Sequence, residues 1–295
     1  MNVFKRLHNP ILVNELRLRM RSGRAPVAIT LYLAVLGGIV FTFIYLMTGD
    51  QTYFNPRASR ELFMMLTMLQ FALIGFVTPG LTAGVISGER ERQTLDILLT
   101  TNSSASKIIL GKWLSSLSFM MFLVLSSIPL YSIVFLYGGI SPQQLVKVFL
   151  LYLITMFAVG SIGILFSTMF KRTGVATVFT YGFIFVYLAG TFIASVVIQE
   201  LAYRSAQGYP PQNVFWAEFF QSINPLFLML YVFDIGPLSD RMGPPGSFGG
   251  AGPQFALPVD PYVLYLMVLG GMCLICLLLA IYFIKPVRPS LRLKR

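Results

Sequence analysis

VFWAEFFQSINPLFLMLYVF, residues 214–233, is an almost wholly apolar stretch of twenty residues, long enough to cross a bilayer as a helix. Whether it does so decides the topology of the whole chain. It carries Glu218, and Asn224-Pro225 stands near its middle. A mid-segment proline removes a backbone hydrogen bond and kinks the helix. A bilayer tolerates such a break only where protein or a water-filled cavity covers it. The stretch therefore reads as two short half-helices that dip into the outer leaflet or lie on it, not as a span.

On either side of it the chain is built from long uncharged runs. Residues 27–47, 62–86, 114–137, 146–170, 174–198 and 262–284 give six candidate spans, the second interrupted by Pro79 and Gly80. At about 1.5 Å rise per residue, some twenty residues match a hydrocarbon core of about 30 Å. The composition agrees. Of 295 residues, 56% are hydrophobic and only 11% charged, against about 25% charged in a soluble domain. The net charge of +11 does not point to nucleic acid, because the basic residues flank the apolar runs. With six spans and both termini cytoplasmic, the inner segments hold seventeen of the 22 basic residues, as the positive-inside rule requires. Outside remain Arg57, Arg60, Lys147, Arg204 and Arg241, together with seven of the eleven acidic residues. Counting 214–233 as a seventh span would put the five basic residues of the tail outside, against that rule. The expected fold is an all-α integral membrane protein with six transmembrane helices, both termini cytoplasmic, and short re-entrant or interfacial helices in the last outer loop, 199–261. A cytoplasmic amphipathic segment, 1–26, precedes the spanning domain, 27–284, and a basic tail, 285–295, follows it.

Chemistry is hard to place on this chain. The centres of the six runs carry no charge, which argues against a proton-driven carrier and against an intramembrane enzyme. HExxH, GxSxG and the phosphate loop GxxxxGK[ST] are all missing from the sequence. His8 is the only histidine and makes no metal site by itself. Cys273 and Cys276 lie one helical turn apart in the last apolar run and read as small buried residues. The first apolar run is too long for a signal peptide and no small-residue cleavage site follows it. Asn102-Ser103-Ser104 fits a glycosylation sequon but falls on the cytoplasmic side in this topology. No catalytic residue, metal ligand or cofactor site is expected; any ATP and its Mg belong to another chain. Gly160, Gly163 and Ser167 fall at i, i+3 and i+7 and make a face of small residues. Such a face suits close helix packing, a subunit interface or the lining of a path.

Two cytoplasmic elements stand out. In NPILVNELRLRMRSGR (9–24), Leu12, Leu16 and Met20 make an apolar side, and Arg17, Arg21 and Arg24 a basic one. It reads as an interfacial helix among lipid headgroups. In SGERERQTLDILLTTNSSASKIILGKW (87–113), Ser87-Gly88 is expected to break the helix, and Glu89–Leu99 then to form about three turns. Leu95, Leu98 and Leu99 make its apolar face, and Glu89, Arg90, Arg92 and Asp96 its charged flank. A helix of that shape seats in a groove on a partner protein.

Glu89, Glu91, Thr94, Leu95, Asp96, Leu98, Leu99, Thr101 and Ser104 together resemble the pattern E-x-E-x-G-T-L-E-x-L-L-x-T-P-x-S, found between spans two and three in permease subunits of export-type (type 2) ATP-binding cassette transporters. Lys107, Gly111 and Lys112 continue it. Gln93 stands where glycine is common, Asn102 where proline is, and Asp96 where glutamate is. The opening NPILVNELRLRMR is similar to the amino end of bacterial members. The resemblance implies two permease subunits paired in a bacterial plasma membrane and surrounded by its lipids, with two ATPase subunits bound below and no nucleic acid. It makes Glu89–Leu99 a coupling helix seated in the ATPase through Glu89, Glu91, Arg92, Thr94, Leu95, Asp96, Leu98 and Leu99. The leucines would supply burial and the charges register. It makes 9–24 a connecting helix beside the coupling helix, with Leu12, Glu15, Leu16 and Arg19 as its candidate residues. The alternative is a membrane anchor or assembly component driven by the same ATPase without moving a solute.

Overall fold

The computed structural model describes residues 24–48, 56–95, 104–136, 140–205, 215–235, 238 and 257–284. The described residues are mostly helical, with no strand among them. In chain order they form α1 (Arg24–Thr48), α2 (Pro56–Thr82), α3 (Ser87–Glu91), α4 (Ala105–Ser126), α5 (Ile128–Leu136), α6 (Pro142–Met169), α7 (Thr173–Ser205), α8 (Phe215–Ile223), α9 (Pro225–Val232) and α10 (Pro261–Ile284). Five helical stretches, built on α2, α4–α5, α6, α7 and α10, are long and apolar enough to cross a membrane, and Ile29–Tyr45 within α1 is a shorter apolar one. This is the architecture of an all-helical, multi-span membrane protein.

Local chemistry explains where the helices begin and end. Ser141 caps α6 in a full capping box with Gln144, and Pro142 occupies the first turn, where its missing N–H costs nothing. Ser104 accepts the Lys107 N–H to start α4. The third apolar run is two helices, not one. Ser127 sits in a turn between α4 and α5, ahead of Pro129, which has no N–H to give to the preceding turn. The stretch 214–233 divides at the expected place: α8 stops at Ile223, Asn224 accepts the Leu226 N–H as cap, and Pro225 opens α9. Pro79 and Gly80 do not interrupt the second run, because α2 carries Pro79 inside it and continues to Thr82.

α6 is the hub. It packs against α10, α2, α7 and α4, and 67% of its most apolar window is buried inside the chain, against 11% for α7. α7 leans mainly on α6 and α8; Phe179, Phe185, Val186, Ile193 and Leu201 on its other sides are exposed. Polar side chains tie the core together. Tyr32 on α1 donates to Gln70 Oε1 on α2 at 2.7 Å. Tyr152 on α6 donates to the Thr67 carbonyl at 2.9 Å. Thr155 on α6 and Tyr265 on α10 share a hydrogen bond of 2.7 Å. Where water is absent, such pairs satisfy groups that lipid cannot. Phe63 adds edge-on ring contacts with Tyr131 and Phe233.

Candidate functional site

The polar segment after the second span differs from the expected three-turn helix. Ser87 and Gly88 are not a break; they lie inside α3, and the Gly88 N–H reaches the Gly84 carbonyl at 2.9 Å. The interruption is earlier, in a turn at 83–86. There the N–H groups of Ile86 and Ser87 leave the helical ladder and both donate to Ser167 Oγ, at 2.8 and 2.9 Å. Helical hydrogen bonding ends with the Arg92 N–H, which reaches the Gly88 carbonyl at 3.1 Å. Arg92 and Gln93 form a turn, and Gln93 has φ 58°, in the left-handed region. That conformation suits glycine and is costly for a longer side chain. It supplies a reason for the glycine common at this position in the pattern that this segment resembles.

The turn redirects the chain, so Leu95 is buried in the core and not part of an exposed ridge. Asp96, Leu98 and Leu99 lie outside the described residues, as do Leu12, Glu15, Leu16 and Arg19 of the amino-terminal segment.

The charges expected to face a partner are largely engaged by the chain's own helices. Lys112 Nζ on α4, itself almost buried, stands 3.0 Å from Glu89 Oε1. The Thr94 hydroxyl donates to the other Glu89 oxygen, and the Thr94 N–H to the Glu89 carbonyl at 3.0 Å. Arg90 forks onto two carbonyls at the end of α6: Nη2 donates to Thr168 at 3.2 Å and Nη1 to Phe170 at 3.4 Å. Glu91 accepts from the N–H and the hydroxyl of Thr173, the first residue of α7, each at 2.8 Å. The segment is therefore fastened to α4, to the carboxyl end of α6 and to the amino end of α7. Arg92 is exposed at its tip.

Electrostatics follow this wiring. Burial pushes the Glu89 carboxyl upward, but hydrogen bonds from Thr94 and Lys112 and the charges of Lys112 and Arg92 outweigh it and hold the group below its ordinary value. Glu91 is held low by the Thr173 N–H and hydroxyl, with a smaller pull from Arg172. Both carboxylates stay ionised at neutral pH.

Gly84, Val85, Gly88, Glu89, Glu91, Arg92 and Thr173 line an open hollow of about 370 Å³ beside the segment. Gly84 permits the close approach: a Cβ there would lie 2.9 Å from Thr173 Cγ2.

The small-residue face of α6 works inside the chain. A Cβ on Gly163 would fall 2.0 Å from Thr82 Oγ1, and one on Gly160 would fall 2.7 Å from Leu117 Cδ2. Gly163 thus seats α2 and Gly160 seats α4. Ser167, one turn further on, is the acceptor for Ile86 and Ser87 already described.

Sequence reasoning missed Thr173, Ser167 as an acceptor, and the backbone carbonyls of Thr168 and Phe170. The last have no side-chain signature to find. Thr173 was within reach, since it opens an apolar run directly after Lys171-Arg172. Among the described residues no group of histidine, cysteine, aspartate and glutamate could hold a metal ion.

No curated protein matches the chain at a significant level. Residues 10–285 match the family model described as ABC-2 family transporter protein, so the chain belongs to that family and is a membrane-spanning permease of an ATP-binding cassette transporter.

Proposed function

We propose that this permease works as an exporter, in a bacterial plasma membrane, with six spans and both termini on the cytoplasmic side. A separate ATPase subunit supplies ATP hydrolysis with its Mg, and a second permease subunit, identical or homologous, completes the path. The ATPase engages the segment from Ser87 to Leu99 and the amphipathic stretch 9–24. Lipids cover the rest of the apolar surface.

One observation carries this reading. The polar segment between the second and third apolar stretches is bonded to three separate helices at once, through Glu89, Arg90 and Glu91. A connecting loop needs no such fastening, whereas a segment that receives a push from outside does. Its exposed outer residues, Arg92 and Gln93 among them, are then the ones left to meet the partner.

The test places a photo-crosslinking residue at Gln93 in the native membrane. The expected adduct is a chain carrying a nucleotide-binding phosphate loop, identified by mass spectrometry, and Arg92→Glu should reduce its yield at least severalfold. An adduct with lipid alone, or none, overturns the coupling role.

A further inference from the structure

α6 and α7 are separated only by residues 170–172. At that corner the negative end of one long helix lies beside the positive end of the next. The last carbonyls of α6 and the first N–H groups of α7 have no partners within their own helices, and the helix dipoles concentrate charge of opposite sign at the two ends. Arg90 and Glu91 are adjacent in sequence and opposite in charge. The arginine sits on the carbonyls of Thr168 and Phe170 and the glutamate on the N–H of Thr173. Each charge is on the helix end that attracts it.

Four further contacts hold the same corner. Ser167 Oγ accepts from the Ile86 and Ser87 N–H groups. The Ser87 hydroxyl lies 3.3 Å from Ser167 Oγ and 3.4 Å from Thr173 Oγ1. The segment therefore grips α6 and α7 from the same side at once.

We infer that Arg90 and Glu91 form a charge-matched clip across the α6–α7 corner, so that the segment Ser87–Leu95 and these two helices move as one body. Both are positioning residues: they touch no substrate, and they convert displacement of the segment into displacement of the corner. A bond to one helix alone would let the corner open or the segment slide. Two bonds of opposite polarity, from neighbouring residues, fix both position and direction. This inference rests on the function proposed above, since the push comes from the ATPase.

The polarity gives the test. Exchanging the two residues, R90E/E91R, keeps the net charge and composition of the segment but puts each charge against the repelling helix end. The first measurement is hydrogen exchange of the isolated permease in detergent. E91A and the exchanged variant should speed exchange in the first turn of α7 by tenfold or more, and E91Q, which keeps an acceptor oxygen, by less. The second uses the permease with its ATPase, with Cys273 and Cys276 replaced by alanine and a single S205C at the outer end of α7. Trapping the ATPase with ATP and vanadate should change the labelling rate at that cysteine in the parent. In E91A and in the exchanged variant the change, normalised to the amount of ATPase that co-purifies, should shrink at least fivefold. If the exchanged variant matches the parent in both measurements, the clip is wrong. Unchanged exchange in α7 with E91A also overturns it, whatever the ATPase does. A parent chain that binds no ATPase sinks the proposed function instead, and the clip is then decided by the exchange rates alone.

Discussion

Replacing Ser167 with alanine separates two roles that the small-residue face of α6 allows. If that face exists only for close packing, alanine keeps it small and also favours the helix by a few tenths of a kcal/mol. The structure gives the hydroxyl another task. Its oxygen accepts from Ile86 N–H and Ser87 N–H, and among the described residues neither amide has another acceptor. Ile86, Ser87 and Ser167 are all fully buried. Alanine leaves two donors without partners in a site closed to water. An orphaned buried donor costs about 1–3 kcal/mol. The two share one turn and relax together, so the sum is less than additive, and we expect a loss of about 2–4 kcal/mol. For a chain of this size that is a fall in thermal midpoint on the order of 5–10 °C. A thiol-reactive fluorogenic dye reads it in detergent, because Cys273 and Cys276 are buried until the bundle opens. A midpoint within about 1 °C of the parent refutes the acceptor role and returns Ser167 to simple packing.

Gly163→Ala should destabilise by about 1–3 kcal/mol in the same assay, because the new Cβ meets Thr82, whose hydroxyl is already held by the Thr78 carbonyl at 2.9 Å. Gly182→Ala, with nothing within 4 Å of its Cβ, is the matched control and should be close to neutral. At Gln93, φ 58° predicts that glycine is at least as stable as the parent and that valine is worse than glycine by about 2 kcal/mol; equal midpoints for the two would contradict the left-handed turn. Asn224→Ala removes the cap of α9 and the bonds from Asn224 Nδ2 to the Leu188 carbonyl and Thr191 Oγ1. It should cost about 1–2 kcal/mol and speed hydrogen exchange at the start of α9.

The helices were legible because their signals are local. A run of apolar side chains announces a span, and Asn-Pro inside such a run announces a split, as α8 and α9 show. The segment after the second run was legible only in part, for the opposite reason. Glu89, Arg90 and Glu91 read as a flank for a partner because their partners within the chain do not show in the sequence. Arg90 meets two carbonyls and Glu91 a backbone N–H, and the positions of those groups depend on where α6 ends and α7 begins. Only Lys112, with Thr94 and Thr173, was available as a letter in the sequence. Ser87-Gly88 misled in a similar way. Its composition is that of a breaker, but the chain had already turned at 83–86, where Ser167, eighty residues away, takes the two N–H groups.

The corner held by Arg90 and Glu91 joins the most buried long helix to the least buried one. α6 is pressed on by α2, α4, α7 and α10, whereas α7 rests on α6 and α8 and presents its other sides outward. Displacement of the corner therefore has to overcome the packing around α6, whereas the outward-facing sides of α7 offer little resistance. α7 runs unbroken for 33 residues, a rod of about 50 Å, and contains no proline at which to bend. Near its middle the Tyr187 hydroxyl donates to the Ile223 carbonyl, and Leu188 and Thr191 take the Asn224 amide; further along, Gln221 Nε2 donates to Gln199 Oε1 at 3.3 Å. Ile223 and Asn224 are the residues at which the split pair α8–α9 is joined. One continuous helix thus links the polar segment, bonded at its first residue, to the broken helices packed against its middle and outer part. On the proposed function, motion passed between them needs no relay of side chains through the core, because one helix is bonded to both.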